Sequence, residues 1–321
     1  MSKRGIVIGK FLPPHAGHKL LIETAQSSCE DLVVLVCERQ DQPIPGDVRA
    51  AWLREIHPGL NVRVISDPGY DDDSEFWARH TISLLGYAPD VVFSSEAYGE
   101  TWAAAMGAAH VSVDKPRAVV PISATAVRND PWGTWEFLEP YVRSYYVQRI
   151  AIVGAESTGS TTLAQSLAAH FNTLWVPEYG REYWIEKVER GDADTWRSEE
   201  FVHIAEQQCA SEDRASRVAN RLLICDTPAF ATTIWHERYL GETSPLVDRV
   251  AAGYRYSHIF VTAADFDFVQ DGYRDGEHIR DWMDRRLREW LTKREMAFTV
   301  LEGTHEKRMA RAVEVIEGMR V

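Results

Sequence analysis

Residues 5–18 read GIVIGKFLPPHAGH, and this stretch decides the fold class of the first half of the chain. Its apolar run, Ile6 to Ile8, is typical of a buried strand, and a helical pattern begins at His18. Glycines at positions 9 and 17 let the backbone come close to a ligand. The first turn of a helix also offers unpaired N–H groups to an anion. The stretch therefore predicts a strand, then a turn carrying two histidines, then a helix whose first turn can bind phosphate.

A second phosphate-binding element lies much later, at residues 122–128, which read ISATAVR. Hydroxyls and the planar guanidinium of an arginine suit contact with phosphate oxygens. An isolated His-x-x-His pair is common at surfaces and helix ends, but two such elements in order are more specific than either alone. Together they resemble the HxGH and ISxTxxR motifs of the nucleotidylyltransferase superfamily. That resemblance implies one site, in which His15 and His18 hold the triphosphate and Ser123, Thr125 and Arg128 its β- and γ-phosphates.

The pattern restarts at residues 149–162, which read RIAIVGAESTGSTT. A strand, a glycine-rich loop and a helix fit the P-loop template G-x-x-x-x-G-K-[ST] at every fixed position except 160, where serine replaces lysine. Serine carries no charge to the phosphates, but the loop amides and the helix dipole remain. We expect this loop to bind nucleotide through Gly154, Ser157, Gly159, Ser160, Thr161 and Thr162.

Other residues of the second half bear on this loop. The apolar strand ending at Asp226 has the form of a Walker B element, which would place Asp226 and Thr161 at Mg²⁺; an ordinary strand-end turn is the alternative. Glu178 and Arg181 follow the second strand of this half, where small P-loop kinases bind the acceptor. Arg274 and Arg280 look like lid arginines that replace the missing charge, and a surface loop with ion pairs is the alternative.

Length and periodicity indicate two domains, at residues 1–147 and 148–321. Strands alternate with helices in both halves, which predicts an α/β fold with two doubly wound parallel sheets. The ligand sites should lie beyond the carboxyl ends of the strands. Unbroken helical segments are expected at residues 135–146, 229–239 and 277–294. Predicted strands cover residues 5–8, 32–37, 62–66, 91–94 and 109–113, then 149–153, 174–177, 221–225, 258–261 and 298–301.

Composition excludes several classes of function. A formal net charge of −13 argues against a nucleic-acid-binding surface. No apolar stretch approaches the ~20 residues of a membrane span, and the first apolar run is too short for a signal peptide. Four cysteines without C-x-x-C spacing indicate reduced thiols. We therefore expect a cytoplasmic protein without membrane insertion, and the sequence leaves open whether it forms a homo-oligomer.

An amino-terminal nucleotidylyltransferase domain followed by a P-loop domain resembles the NadR-type family of NAD synthesis over nearly the whole chain. The stretches that carry the resemblance are GKFLPPHAGH, SSEAYGETWA, ISATAVR, GAESTG, PEYGREY and DGYRDGEHIR. It implies nicotinamide mononucleotide adenylyltransferase joined to ribosylnicotinamide kinase, with ATP and Mg²⁺ as cofactors. Some members carry an amino-terminal helix-turn-helix repressor domain. This chain starts at the first catalytic strand, so we expect no DNA-binding role.

The resemblance also implies residue roles. Lys10 would neutralise charge that develops beside the two histidines, and Gly9, Phe11 and Gly17 would shape the ATP site. Residues after the fourth strand would receive the pyridine nucleotide, with an aromatic ring available for stacking; core packing is the alternative for the tryptophan. These residues are Ser95, Glu96, Tyr98 and Trp102.

Three alternatives follow from the sequence. Pantetheine phosphate and glycerol phosphate nucleotidylyltransferases share the first motifs but are not expected to carry a P-loop half. Because Ser160 replaces the lysine, the second half is either a kinase of nicotinamide riboside or a nucleotide-binding regulator of a single-activity adenylyltransferase. The preference for the amide or the acid form of the pyridine nucleotide stays open.

Overall fold

The computed structural model describes residues 3–70, 73–274 and 276–319. Asp71, Asp72 and Asp275 lie outside the described residues. The chain divides into two compact units, Met1–Tyr146 and Val147–Val321. Each unit contains one five-stranded parallel sheet. The predicted fold class, α/β with two doubly wound sheets, is confirmed.

The sheet of the first unit has the strand order β3-β2-β1-β4-β5. Successive residues of β2 point to opposite faces, so Val34 and Val36 join one core cluster while Val33 and Leu35 join the other. Both faces are thus covered by helices, as expected for a parallel sheet. The elements are β1 (Arg4–Gly9), α1 (Ala16–Ser28), β2 (Asp31–Glu38), α2 (Gly46–Ile56), β3 (Asn61–Ser66), α3 (Ser74–Leu85), β4 (Val91–Ser94), α4 (Tyr98–Met106), β5 (Ala109–Ser112), α5 (Ala124–Asn129) and α6 (Pro140–Tyr146).

The second unit repeats this architecture with the strand order β10-β9-β6-β8-β7. Its central strand, β6, leads into the P-loop. The elements are β6 (Gln148–Gly154), α7 (Ser160–His170), β7 (Leu174–Val176), α8 (Tyr179–Arg190), α9 (Ser198–Ser216), β8 (Leu222–Asp226), α10 (Thr232–Leu240), α11 (Pro245–Ala251), β9 (His258–Thr262), α12 (Arg280–Lys293), β10 (Phe298–Leu301) and α13 (His305–Gly318).

Three helix predictions need correction. Residues 135–146 do not form one helix: a 3₁₀ turn covers Trp135–Phe137, and α6 starts afresh at Pro140, because proline cannot continue a preceding helix. The segments 229–239 and 277–294 both begin as 3₁₀ turns, Ala229–Ala231 and Glu277–Ile279. Helices α5 and α11 are too short for periodicity to reveal.

The topology determines where ligands can bind. The central strand β1 pairs with β2 and β4, and the central strand β6 pairs with β8 and β9, so in each sheet the strand order reverses at the central strand. A crevice opens at the carboxyl ends of the strands at such a point. Within the described ranges no helix is both long and apolar enough to span a membrane.

Candidate active sites of the two units

The first unit has a cleft at the carboxyl edge of its sheet. Side chains from both predicted motifs line it although they lie far apart in the sequence. The loop after β1 supplies one wall, the start of α5 a second, and the residues after β4 a third. The predicted residues that line the cleft are Gly9, Lys10, Phe11, His18, Ser95, Glu96, Tyr98, Trp102, Thr125 and Arg128.

The two histidines form a stacked pair at the start of α1. Nδ1 of His15 accepts a hydrogen bond of 3.1 Å from the amide of Gly17 and so caps the helix. In the neutral ring this places the proton on Nε2, which becomes a donor. The His18 ring stacks on His15 with centroids 3.8 Å apart, and Phe11 packs edge-on against His18 at 4.9 Å. Both imidazoles are therefore held in place before any ligand binds.

Electrostatics keep both imidazoles neutral. Burial, and then the charge of Arg117, lower the pKa of His15 to about 4. Burial, followed by the charges of His15 and Arg117, holds the pKa of His18 well below its ordinary value. Nδ1 of His18 is buried without a hydrogen-bond partner among the described residues. Neutral rings can donate hydrogen bonds to phosphate oxygens without placing two cations in contact.

The second motif closes the cleft from the other side. Ser123 caps α5, where its hydroxyl accepts a hydrogen bond of 3.1 Å from the amide of Ala126. The Arg128 guanidinium donates to the carbonyl of Leu12 and, at 3.1 Å, to the hydroxyl of Thr125. Arg128 thus ties α5 to the histidine-bearing turn, which explains how two distant motifs meet.

The residues after β4 do not offer the Trp102 ring for stacking against a ligand. Trp102 is 1% exposed and packs in the core, so its ring face is not available to a ligand. Its Nε1 donor is buried and has no partner among the described residues. The Tyr98 hydroxyl donates to the Ile8 carbonyl at 3.1 Å, and Glu96 pairs with Arg117 at 3.0 Å. The half-buried ring of Trp77 also lines the cleft.

Sequence reasoning missed several cleft residues. Those from the loops after β2 and β3, and from α3, are Arg39, Asp41, Gln42, Asp67, Ser74 and Trp77. Their position directly after strands was the signal that could have found them, because the carboxyl ends of parallel strands share one edge. The fully buried Arg49 of α2 donates to the carbonyls of Lys10 and Cys37 and to Gln42. It fastens two loops of the cleft together.

In the second unit, β6 leads into a P-loop as the sequence predicts. Gly159 has φ of +79° and caps α7, a conformation that suits glycine. The Thr161 hydroxyl donates to the Asp226 carboxylate at 2.6 Å, so the two predicted magnesium ligands are adjacent. Both offer the hard oxygen atoms that Mg²⁺ prefers. No group of three or more acidic, cysteine or histidine side chains suited to a metal occurs in the described part of the chain.

Two buried arginines hold the P-loop main chain. Arg280 is 9% exposed and donates to the carbonyl of Ser157 at 2.9 Å. Arg308, which sequence reasoning did not identify, is 3% exposed and donates to the carbonyl of Thr158. Both guanidinium groups bind loop carbonyls. They bring positive charge close to the loop and stabilise its conformation.

The second candidate lid arginine, Arg274, makes its contacts within its own segment. Arg274 donates to the carbonyl of Val269 and lies 3.5 Å from Asp271. Asp271 also pairs with Arg181 of α8. The Ser157 hydroxyl accepts from the amide of Val269 at 2.8 Å. The segment that carries Arg274 therefore lies against both the P-loop and α8.

A pocket adjoins the P-loop. Trp196 stacks on Trp184 with ring centroids 5.8 Å apart, and Tyr239 lies 4.8 Å from Trp196. The buried Lys187 lies 5.0 Å above the Trp196 ring and pairs with Glu200 at 2.8 Å. Sequence reasoning missed this aromatic wall because its members come from α8, the loop between α8 and α9, and α10. The lining residues are Glu156, Glu178, Gly180, Arg181, Trp184, Trp196, Phe201, Ile204, Gln208, Thr227, Thr232, Trp235, Tyr239, Tyr273 and Arg274.

Carboxyl groups face each other where the aromatic pocket meets the P-loop. Burial, and then the charge of Asp226, raise the pKa of Glu178 to about 8. Burial raises the pKa of Asp226 to about 6, against the hydrogen bond from Thr161. Perturbed carboxyls in a pocket are typical of functional sites. A cation bound beside them would favour their ionised forms.

Comparisons with known proteins agree with this two-site architecture. A family model described as an AAA domain matches residues 149–308. The trifunctional NAD biosynthesis/regulator protein NadR of Escherichia coli (strain K12) is 28% identical over 98% of this chain and 83% of its own length. The same protein of Salmonella typhimurium is 27% identical over the same shares.

Two solved structures share the fold over nearly the whole chain. A NadR protein in complex with NR is 22% identical, with a TM-score of 0.82 over 99% of this chain and 96% of that chain. A NadR protein in complex with NAD and AMP-PNP is 20% identical, with a TM-score of 0.75 over the same shares. The chain is therefore similar to NadR proteins over nearly all of its length.

Proposed function

We propose that the first unit transfers the adenylyl group of ATP to nicotinamide mononucleotide, giving NAD and pyrophosphate. The observation that carries this proposal is the meeting of His18, on whose ring His15 stacks, and Arg128 in one cleft. The phosphate of the mononucleotide attacks the α-phosphorus of ATP, and the bond to the β-phosphate oxygen breaks. The nucleophile is already anionic, so the step needs positioning and charge stabilisation rather than a general base.

Different side chains of the cleft bind the phosphates, supply positive charge and contact the pyridine nucleotide. His15 and His18 donate hydrogen bonds to the phosphate chain from neutral rings. Lys10 and Arg128 supply the positive charge, and the hydroxyl of Thr125 lies beside Arg128. Mg²⁺ bound with ATP supplies further neutralisation of the phosphate charge. The residues after β4 contact the pyridine nucleotide, with Trp77 rather than Trp102 as the available ring.

The test is a chromatographic assay of NAD formation from nicotinamide mononucleotide, ATP and Mg²⁺. We expect His18→Ala to lower the rate by about 100-fold or more, the scale of losing one charge-stabilising donor. His57→Ala, which removes another buried imidazole of the first unit, is the control and should retain the rate within about threefold. Near-normal activity in a folded His18→Ala variant would remove His18 from the mechanism.

We further propose that the second unit phosphorylates nicotinamide riboside with ATP. The aromatic pocket beside the P-loop supports this, because its stacked rings suit a flat pyridine base. The 5′-hydroxyl oxygen attacks the γ-phosphorus, ADP leaves, and the hydroxyl proton passes to a carboxylate such as Glu178. Thr161 and Asp226 would hold Mg²⁺, which neutralises charge on the phosphates.

A second function for this unit is nucleotide sensing without phosphorylation. Ser160 favours it, since no lysine reaches the phosphates, and both buried arginines are bound to loop carbonyls. The same assay, started with nicotinamide riboside in place of the mononucleotide, separates the two. Conversion of riboside through to NAD supports the kinase. NAD from the mononucleotide alone supports the sensor.

A further inference from the structure

Glu156 is the one P-loop residue whose side chain joins three elements of the second unit in the described structure. It lies between Gly154 and Gly159 and lines the aromatic pocket. Its Oε1 accepts from Arg238 of α10 at 3.2 Å, and its Oε2 accepts from the amide of Gly276 at 2.7 Å. Both ends of the carboxylate are therefore bound to protein groups outside the P-loop.

Arg238 extends this connection to the pocket wall. Its side chain is 6% exposed. The guanidinium lies 5.1 Å from the ring centroid of Trp235 and 4.7 Å from that of Tyr239, and both rings line the pocket. Cation–π contacts of a poorly solvated guanidinium are among the stronger ones. The position of Glu156 thus helps to determine where this part of the aromatic wall lies.

The contact with Gly276 reaches the segment that precedes α12. A Cβ atom added to Gly276 would lie 2.6 Å from Oε2 of Glu156, so the close approach needs glycine. The same segment donates the Val269 amide to Ser157 of the P-loop. Any displacement of the Glu156 carboxylate would therefore act on both this segment and the aromatic pocket.

We propose that Glu156 is a positioning residue that couples nucleotide binding at the P-loop to nucleoside binding in the aromatic pocket. This inference rests on the nucleoside binding proposed above. Coupling between two sites is reciprocal and is measured as the change in affinity for one ligand when the other is bound. It does not depend on phosphoryl transfer, so it is measurable whether or not Ser160 permits catalysis.

The experiment is calorimetric titration of the full chain with nicotinamide riboside, alone and with a saturating non-hydrolysable ATP analogue and Mg²⁺. We expect the analogue to change riboside affinity about fivefold or more in the natural protein. In Glu156→Gln, which loses the charge that holds Arg238, the change should fall below about twofold. Gly276→Ala should do the same by displacing the carboxylate.

Glu237→Gln is the matched control. Glu237 lies next to Arg238 on α10, and its replacement breaks an ion pair of 2.7 Å with Arg286 of α12. This variant should keep the coupling. Unchanged coupling in Glu156→Gln and Gly276→Ala, with normal riboside binding, overturns this inference alone. Failure of the natural protein to bind riboside in either state overturns the proposed nucleoside site and the inference together.

Discussion

Replacing His15 with asparagine should make the first unit less sensitive to mild acid. The pKa of His15 is lowered from 6.5 to about 4 by burial and by Arg117. Between these two pH values, His15 therefore binds a proton in the unfolded chain but stays neutral in the folded state. Above pH 6.5 the effect is absent, and stability is lost as the pH falls from 6.5 toward 4. Asparagine is a good helix cap, so His15→Asn preserves the cap of α1 while removing the titration.

The expected size follows from the two pKa values. Between pH 7.5 and pH 5.5 the shift costs the natural protein about 1.3 kcal/mol of unfolding free energy that His15→Asn does not lose. Native-state hydrogen exchange of β1 and β2 amides reports on the first unit alone. Arg117→Gln should reduce the cost, because the charge of Arg117 contributes to the shift. Arg79→Gln, at an exposed arginine of α3, is its control.

The result that refutes this reasoning is an equal loss of stability in the natural protein and in His15→Asn over that pH range. It would mean that the folded state accepts the proton as readily as the unfolded chain. The histidine pair would then not be neutral in the free protein, and the proposal that neutral rings donate to the phosphate chain would fall with it.

Three further predictions concern the loops. Ser160→Lys should raise phosphorylation of nicotinamide riboside about tenfold or more by returning the P-loop charge; no gain in a steady-state kinase assay would favour the sensor. Gly154→Ala would place a Cβ atom 2.1 Å from Oγ1 of Thr262. We therefore expect calorimetry to show weaker ATP binding in the second unit, while NAD formation from the mononucleotide stays unchanged. An ATP affinity equal to that of the natural protein would contradict this prediction. Arg49→Met should cost about 2–4 kcal/mol of stability by chemical unfolding and raise the KM for ATP, because the carbonyl of Lys10 loses its donor, and Arg49→Lys should restore part of both; an unchanged KM would show that Arg49 acts on stability alone.

Much of the architecture could be predicted from local patterns. Buried strands such as 33–37 are apolar runs that no other element suits, and the glycines at 154 and 159 mark a loop that must approach phosphate closely. The segment 135–146 was mispredicted because its aromatic residues share a helical spacing that Pro140 interrupts. Here the proline overrides the helical spacing of the aromatic residues, and periodicity alone does not show that it does.

The sequence by itself determined the two α/β units, the order of the phosphate-binding elements and the serine at position 160, since each rests on residues that are neighbours in the chain. Only the tertiary structure decided that Trp102 is a core residue, that Arg280 and Arg308 bind loop carbonyls, and that rings from α8, α9 and α10 form one pocket. The physical reason is range. Hydrogen bonding and hydrophobic periodicity act over a few residues and leave a local pattern, whereas burial, side-chain stacking and pKa shifts depend on groups that only folding brings together.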